Sequence, residues 1–179
     1  MTQHLVIHKY ATALMLAVAV PAVAMATGAE AAAAPRSVKV NAVFVSAKSY
    51  RTSRAVTYDQ SSVRRGSRVG VLEKSNDTGG LFIELSVWGL NPNNKYDAYV
   101  YTRPCGATPA SAGKRVQNGP STDHYPQNEV WLNFQTNFYG TAHSRADQNW
   151  PFSVGQANSV VLLSHNTARV VACISVPFQ

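Results

Sequence analysis

The stretch Leu81-Phe82-Ile83-Glu84-Leu85-Ser86-Val87-Trp88 alternates strictly, with Leu81, Ile83, Leu85 and Val87 on one face of an extended chain. A period of two makes a half-buried strand and cannot make the apolar stripe of a helix. Turn chemistry closes both ends. Asn76-Asp77-Thr78-Gly79-Gly80 precedes it and Asn91-Pro92-Asn93-Asn94 follows it. Asparagine, aspartate and glycine tolerate left-handed backbone, and proline pre-sets the second turn position. The first of these turns reads as a hairpin loop.

The same pattern recurs along the chain. Val38, Val40, Ala42 and Phe44 alternate with polar or small residues, and residues 54–58, 67–73, 95–101, 128–134, 140–148, 159–164 and 169–176 read as further strands. Residues 105–126 carry glycine and proline with little periodicity and read as one long irregular loop, a length that is usually functional or mobile. Beyond the N-terminal apolar run no stretch has a 3.6-residue period. Eight or nine short strands with regular turns predict an all-β antiparallel sandwich or barrel.

Residues 1–26 read as an export signal. Lys9 supplies the positive start, Ala11 to Ala26 is an uncharged apolar run, and Ala24-Met25-Ala26 is a small-x-small cleavage candidate, as is Ala29-Glu30-Ala31. A membrane anchor is the competing reading, but the run is short and alanine-rich, where a span needs about 20 apolar residues. No cysteine follows to take a lipid. Residues 27–37 read as a flexible leader and residues 38–179 as one domain with a proper core. The expectation is a secreted, extracellular protein that does not span a membrane. In such a protein the only two cysteines, Cys105 and Cys173, are expected to pair, a catalytic or metal thiol being the alternative.

Charge is uneven. Arg36, Lys39, Lys48, Arg51, Arg54, Arg64, Arg65, Arg68 and Lys74 are opposed only by Asp59 and Glu73, whereas basic and acidic residues cancel from Ser75 onward. A basic first third can attract an anionic polymer or surface, with Arg51, Arg54, Arg64, Arg65 and Arg68 as candidate anion contacts. The plainer reading is solvent-facing arginines on strands and turns. No specific nucleic-acid partner is expected.

The segment from Gly89 to Gly113 carries a family resemblance. Gly89-Leu90-Asn91-Pro92 leads into Tyr96-Asp97-Ala98-Tyr99-Val100-Tyr101, then Cys105-Gly106, then Ser111-Ala112-Gly113. Together these resemble the copper/zinc superoxide dismutases, in particular their exported bacterial branch. In that family a Gly-Leu-x-Pro turn leads to a strand bearing His-x-His, then a cysteine, then Ser-Ala-Gly and a metal-bridging histidine. Further on, Asn128-Glu129-Val130-Trp131-Leu132, Ser159-Val160-Val161, Ala172-Cys173 and Val176-Pro177-Phe178 resemble the later strands, the second half-cystine and the chain end. The resemblance covers most of the chain from about Val38. It implies the flattened Greek-key barrel.

It also implies that most metal ligands are replaced. The His-x-His positions hold Tyr99 and Tyr101, the bridging position holds Arg115 (or Lys114), and the last copper position holds Leu163. The family uses six histidines and one aspartate. This chain has five histidines, of which His4 and His8 leave with the signal, so His124, His143 and His165 remain. Tyrosine is a poor copper ligand while its phenol is protonated, and a guanidinium cannot coordinate a cation. A redesigned site with phenolic ligands is the other reading of Tyr99 and Tyr101. His165, two residues past Leu163, would reach the site only through a two-residue shift of strand pairing. A partial zinc remnant at His124 and Glu129, with Asp123 beside them, falls short of the usual four ligands. The family's anion-guiding arginine falls at Val170, with Arg169 one residue earlier and on the other face.

No Gly-x-Ser-x-Gly, His-Glu-x-x-His or phosphate-cradling motif occurs. Asn76-Asp77-Thr78 is a glycosylation sequon only in a host with that machinery. The reading is a secreted domain that has lost copper catalysis, needs no cofactor, and serves as a binding or structural module. The alternative is a superoxide dismutase with an altered copper or zinc site.

Overall fold

The computed structural model describes residues 37–121 and 123–179. The predicted signal and all but the last residue of the leader lie outside these residues. Among the described residues no helix is long and apolar enough to cross a membrane.

Among the described residues ten strands form two sheets, and two short 3-10 turns lie in connections between strands of the larger one. In chain order the strands are β1 (Ser37–Val43), β2 (Val45–Ser46), β3 (Ala55–Thr57), β4 (Arg68–Ser75), β5 (Leu81–Trp88), β6 (Lys95–Tyr101), β7 (Phe134–Gln135), β8 (Ala142–Gln148), β9 (Ser159–Ser164) and β10 (Val170–Ser175). One sheet has the order β1-β4-β5-β8 and the other β2-β3-β10-β9-β6-β7. All pairings are antiparallel except β2 with β3. The all-β antiparallel expectation holds. The two sheets do not close on one another.

The alternation in β5 produces what it predicts: Leu81, Ile83, Leu85 and Val87 are buried between the sheets. Their partners are Val38 and Val40 from β1, Val69 and Val71 from β4, and Tyr96, Ala98, Val100, Val160, Leu162, Ala172 and Ile174 from the facing sheet. The six-stranded sheet is buried on its other side as well. Val56, Tyr99, Cys105, Ala112, Val161, Leu163 and Cys173 form a second apolar cluster there, with Tyr101, Trp131 and Val170 against it. Strands β6 and β9 thus send alternate side chains into two separate clusters, as a period of two requires. The Cys105–Cys173 disulfide lies in the outer cluster and spans 68 residues with Cα atoms 5.7 Å apart. It fastens the long loop to β10.

Three elements differ from their sequence reading. Residues 128–134 were expected as a strand, but only Phe134–Gln135 is one, with isolated bridges at Glu129 and Trp131. The cause is local: the Asn133 side-chain oxygen accepts from the Ala98 amide and interrupts the ladder. The loop at 105–126 is less irregular than expected. It holds a 3-10 turn at Pro109–Ala112, and Arg115 and Gln117 form bridges to Tyr101 and Glu129. In β10 a bulge between Val170 and Ala172 sends Val171 and Ala172 both into the inter-sheet core, a break in period that a single extra residue imposes.

Candidate functional site

The outer face of the six-stranded sheet brings together the positions that the sequence singled out. Tyr99 and Tyr101 point the same way from β6, and Tyr99 and Leu163 belong to one buried cluster. The loop strand bridged to Tyr101 carries Arg115, whose guanidinium carbon sits 3.6 Å from the centre of the Tyr99 ring. At that distance a guanidinium gains cation–π attraction. Trp131 meets the Tyr99 ring edge-on at 5.8 Å.

Glu129 is the centre of the arrangement. Its side chain is 1% exposed. Oε2 accepts from Arg115 Nη1 at 3.1 Å and from Trp131 Nε1 at 3.0 Å. Oε1 accepts from His124 Nδ1 at 2.5 Å and from Gln117 Nε2 at 3.4 Å. A carboxylate offers about four acceptor sites, and all four are taken. Burial raises the Glu129 carboxyl, but the bonds from His124, Trp131 and Arg115 outweigh it and hold it below the usual range. Burial opposes charge on Arg115, yet Glu129, Tyr101 and Tyr99 more than offset this and raise its pKa. Burial also raises the Tyr99 phenol, with Arg115 only partly opposing it, so the ring stays protonated at neutral pH. A cavity of about 360 Å³ opens beside the network, lined by Tyr101, Gly113, Lys114, Arg115, Gln117, His124 and Glu129.

The three remaining histidines do not converge. His124 bonds Glu129, His143 on β8 meets Ser86 Oγ at 3.0 Å, and His165 Nδ1 meets Asp97 Oδ1 at 2.9 Å. Strand β9 ends at Ser164, and Leu163 pairs with Asp97 without the register shift that would carry His165 inward. Asp123 is exposed, and its described bonds use only its backbone. Among the described residues no group of three or more His, Cys, Asp or Glu side chains could hold a metal ion. The donor set therefore does not fit the copper or zinc that the family resemblance implies. Arg169 is exposed beyond the cluster while Val170 packs against it.

Arg51, Arg54, Arg64, Arg65 and Arg68 are all exposed. Among the described residues none of the five forms an ion pair; Arg51 instead bonds and stacks on Tyr50. Sequence reasoning missed Gln117 and Trp131 as members of the network. Trp131 was within reach of it, since two residues after Glu129 an extended chain faces the same side.

No family model matches the chain, and no curated protein matches it. Among solved structures, two mutants of an SOD-like protein from Bacillus subtilis are similar. The double mutant has a TM-score of 0.49 at 16% identity, covering 70% of this chain and 95% of that one. A single mutant has a TM-score of 0.46 at 15% identity, covering 70% and 96%.

Proposed function

We propose that this chain is a secreted domain with a superoxide-dismutase-like fold in which an arginine–glutamate network replaces a metal centre, and that it works as a non-catalytic binding module. The observation that carries the reading is the saturated Glu129 carboxylate: it accepts from Arg115, Trp131, His124 and Gln117 and has no lone pair left for a cation. A guanidinium over Tyr99 adds a fixed positive charge where a cation would have to sit. The buried disulfide supports an oxidising compartment. The partner is an anionic polymer or surface, met through the exposed arginines of the first third of the chain.

Metal analysis after refolding with copper and zinc, followed by a superoxide-dismutation assay, tests the loss of catalysis. The expected result is no stoichiometric metal and no activity. Stoichiometric copper, with activity abolished by His165→Ala, overturns it. Retention on heparin tests the partner: it should fall steeply with salt and weaken in Arg64→Glu/Arg65→Glu. Retention that ignores ionic strength overturns the basic-surface part.

A further inference from the structure

The outer face of the four-stranded sheet divides into two halves of different character. Its side chains lie in rows set by the register. Lys39, Leu72, Glu84 and Arg145 form one row, Asn41, Gly70, Ser86 and His143 the next, and Val43, Arg68 and Trp88 the last. The half around Arg145 is satisfied internally. Arg145 bonds Glu84 at 3.2 Å and Asp147 at 2.6 Å and lies 3.9 Å over the Phe82 ring. The half around Trp88 is not. Trp88 is 40% exposed and Val43 46% exposed. Among the described residues the Asn41 side chain has no hydrogen bond, and Arg68 and Lys39 have no ion pair.

Gly70 shapes this second half. It has no side chain in the middle of the face, and the Asn41 and Trp88 side chains flank the space: a Cβ placed there would lie 3.0 Å from Asn41 Oδ1 and 3.7 Å from indole Cζ3 and Cη2. The missing side chain leaves a depression. Two cavities share Asn41 and Trp88: one of about 250 Å³ is lined by Gly70 with Lys39, Glu84 and Ser86, and the other, of about 550 Å³, lies beside Arg68 and Val43.

We propose that this half-face binds an acidic polysaccharide, one carboxylated sugar ring stacking on Trp88 in the Gly70 depression, its hydroxyls meeting Asn41 and Ser86 and its carboxylate meeting Arg68 or Lys39. The chemistry selects the occupant. An exposed indole offers a rigid apolar surface for the C–H face of a pyranose, and the unbonded Asn41 amide beside it suits sugar hydroxyls, as does the spare lone pair of the Ser86 hydroxyl that meets His143. The two carboxylates of the face, Glu84 and Asp147, both bond Arg145, which leaves one net negative charge in that half. The unpaired charges that remain beside the depression are cationic and favour an anionic chain. The inference rests on the binding-module reading and names its contact surface.

The test is titration of the purified full chain with polygalacturonate, with dextran as neutral saccharide and polyglutamate as sugar-free polyanion. Polygalacturonate should bind most tightly. Trp88→Ala should weaken it by about tenfold or more. Gly70→Val fills the depression and should weaken it as well, while Phe138→Ala, an exposed aromatic in a turn, should not. Unfolding curves confirm that each variant is folded. Equal binding of polygalacturonate and polyglutamate, or an unchanged Trp88→Ala titration, overturns the platform and leaves salt-dependent heparin retention standing. So does a wild-type chain that binds none of the three polymers yet is retained on heparin. A dimer that dissociates in Trp88→Ala also overturns it, assigning the patch to a second copy of the chain.

Discussion

Arg115 and Glu129 pair at 3.1 Å across the loop that closes the outer cluster, the arginine a quarter exposed and the glutamate almost fully buried. The pair does structural work. The buried carboxylate needs the guanidinium, and the guanidinium carries the loop strand onto Tyr99 and Tyr101.

Glu129→Gln should therefore destabilise the protein. It removes the charge that Arg115 faces, and its amide nitrogen turns one acceptor position into a donor. Removing one partner of a buried pair costs about 3–5 kcal/mol, and the partial exposure of Arg115 places this one nearer about 2 kcal/mol. Denaturant unfolding measures it. Glu129→Leu with Arg115→Leu should recover part of the loss, since a well-packed apolar pair removes the charge from both sides.

Reduction of the Cys105–Cys173 bond, or Cys105→Ser with Cys173→Ser, should lower stability by about 4 kcal/mol on the chain-entropy account. The crosslink spans 68 residues and sits in a buried cluster, so two buried hydroxyls add to the loss in the double serine variant. Unfolding curves with and without reductant give the difference.

Stability should fall as pH rises from about 4.5 to about 7. Glu73 is an inward-facing carboxyl on β4, 3% exposed, whose one described partner is the Gln179 amide at 3.1 Å. Burial raises it from 4.5 to about 7, only partly opposed by that bond. In this window the folded chain holds a proton that the unfolded chain has released, and each pH unit favours unfolding. The full span is worth about 3 kcal/mol. Glu73→Gln should be more stable than wild type at pH 8 and closely matched at pH 4.5. A constant difference across the range would show that Glu73 is not responsible.

Gly140→Ala should also destabilise, by about 1–3 kcal/mol. Gly140 has φ of +68°, and its missing Cβ would press against the Leu90 carbonyl. The two residues exchange a bond, Leu90 N–H to the Gly140 carbonyl at 3.0 Å. Thermal unfolding of the variant checks it.

Much of the fold was legible because it rests on period and punctuation. The β5 alternation and the Asn76–Gly80 turn identify a hairpin whose register the structure follows from Arg68 opposite Trp88 to Ser75 opposite Leu81. Residues 128–134 misled because apolar alternation says nothing about the partner's hydrogen bonds, and Asn133 takes one of them with its side chain. The bulge at Val171 was equally hidden, since nothing in Arg169 to Val176 marks an extra residue. At the site, the shared face of Tyr99 and Tyr101 followed from strand parity. The saturation of Glu129 did not. It depends on a loop folding back so that Gln117, His124 and Arg115 reach one carboxylate, and no local pattern encodes that contact. Counting histidines gave a number, whereas their dispersal over three separate contacts is a property of the fold.

The two clusters served by alternate residues of β6 and β9 make this scaffold divisible. Exchanging Tyr99, Tyr101, Val161 or Leu163 edits one surface while Ala98, Val100, Val160 and Leu162, one step away on the same strands, keep their packing. Chemistry on such a two-sheet frame is a removable layer. A lineage can discard a reaction, or be engineered to acquire one, by rewriting every second residue of two strands without renegotiating how the chain folds.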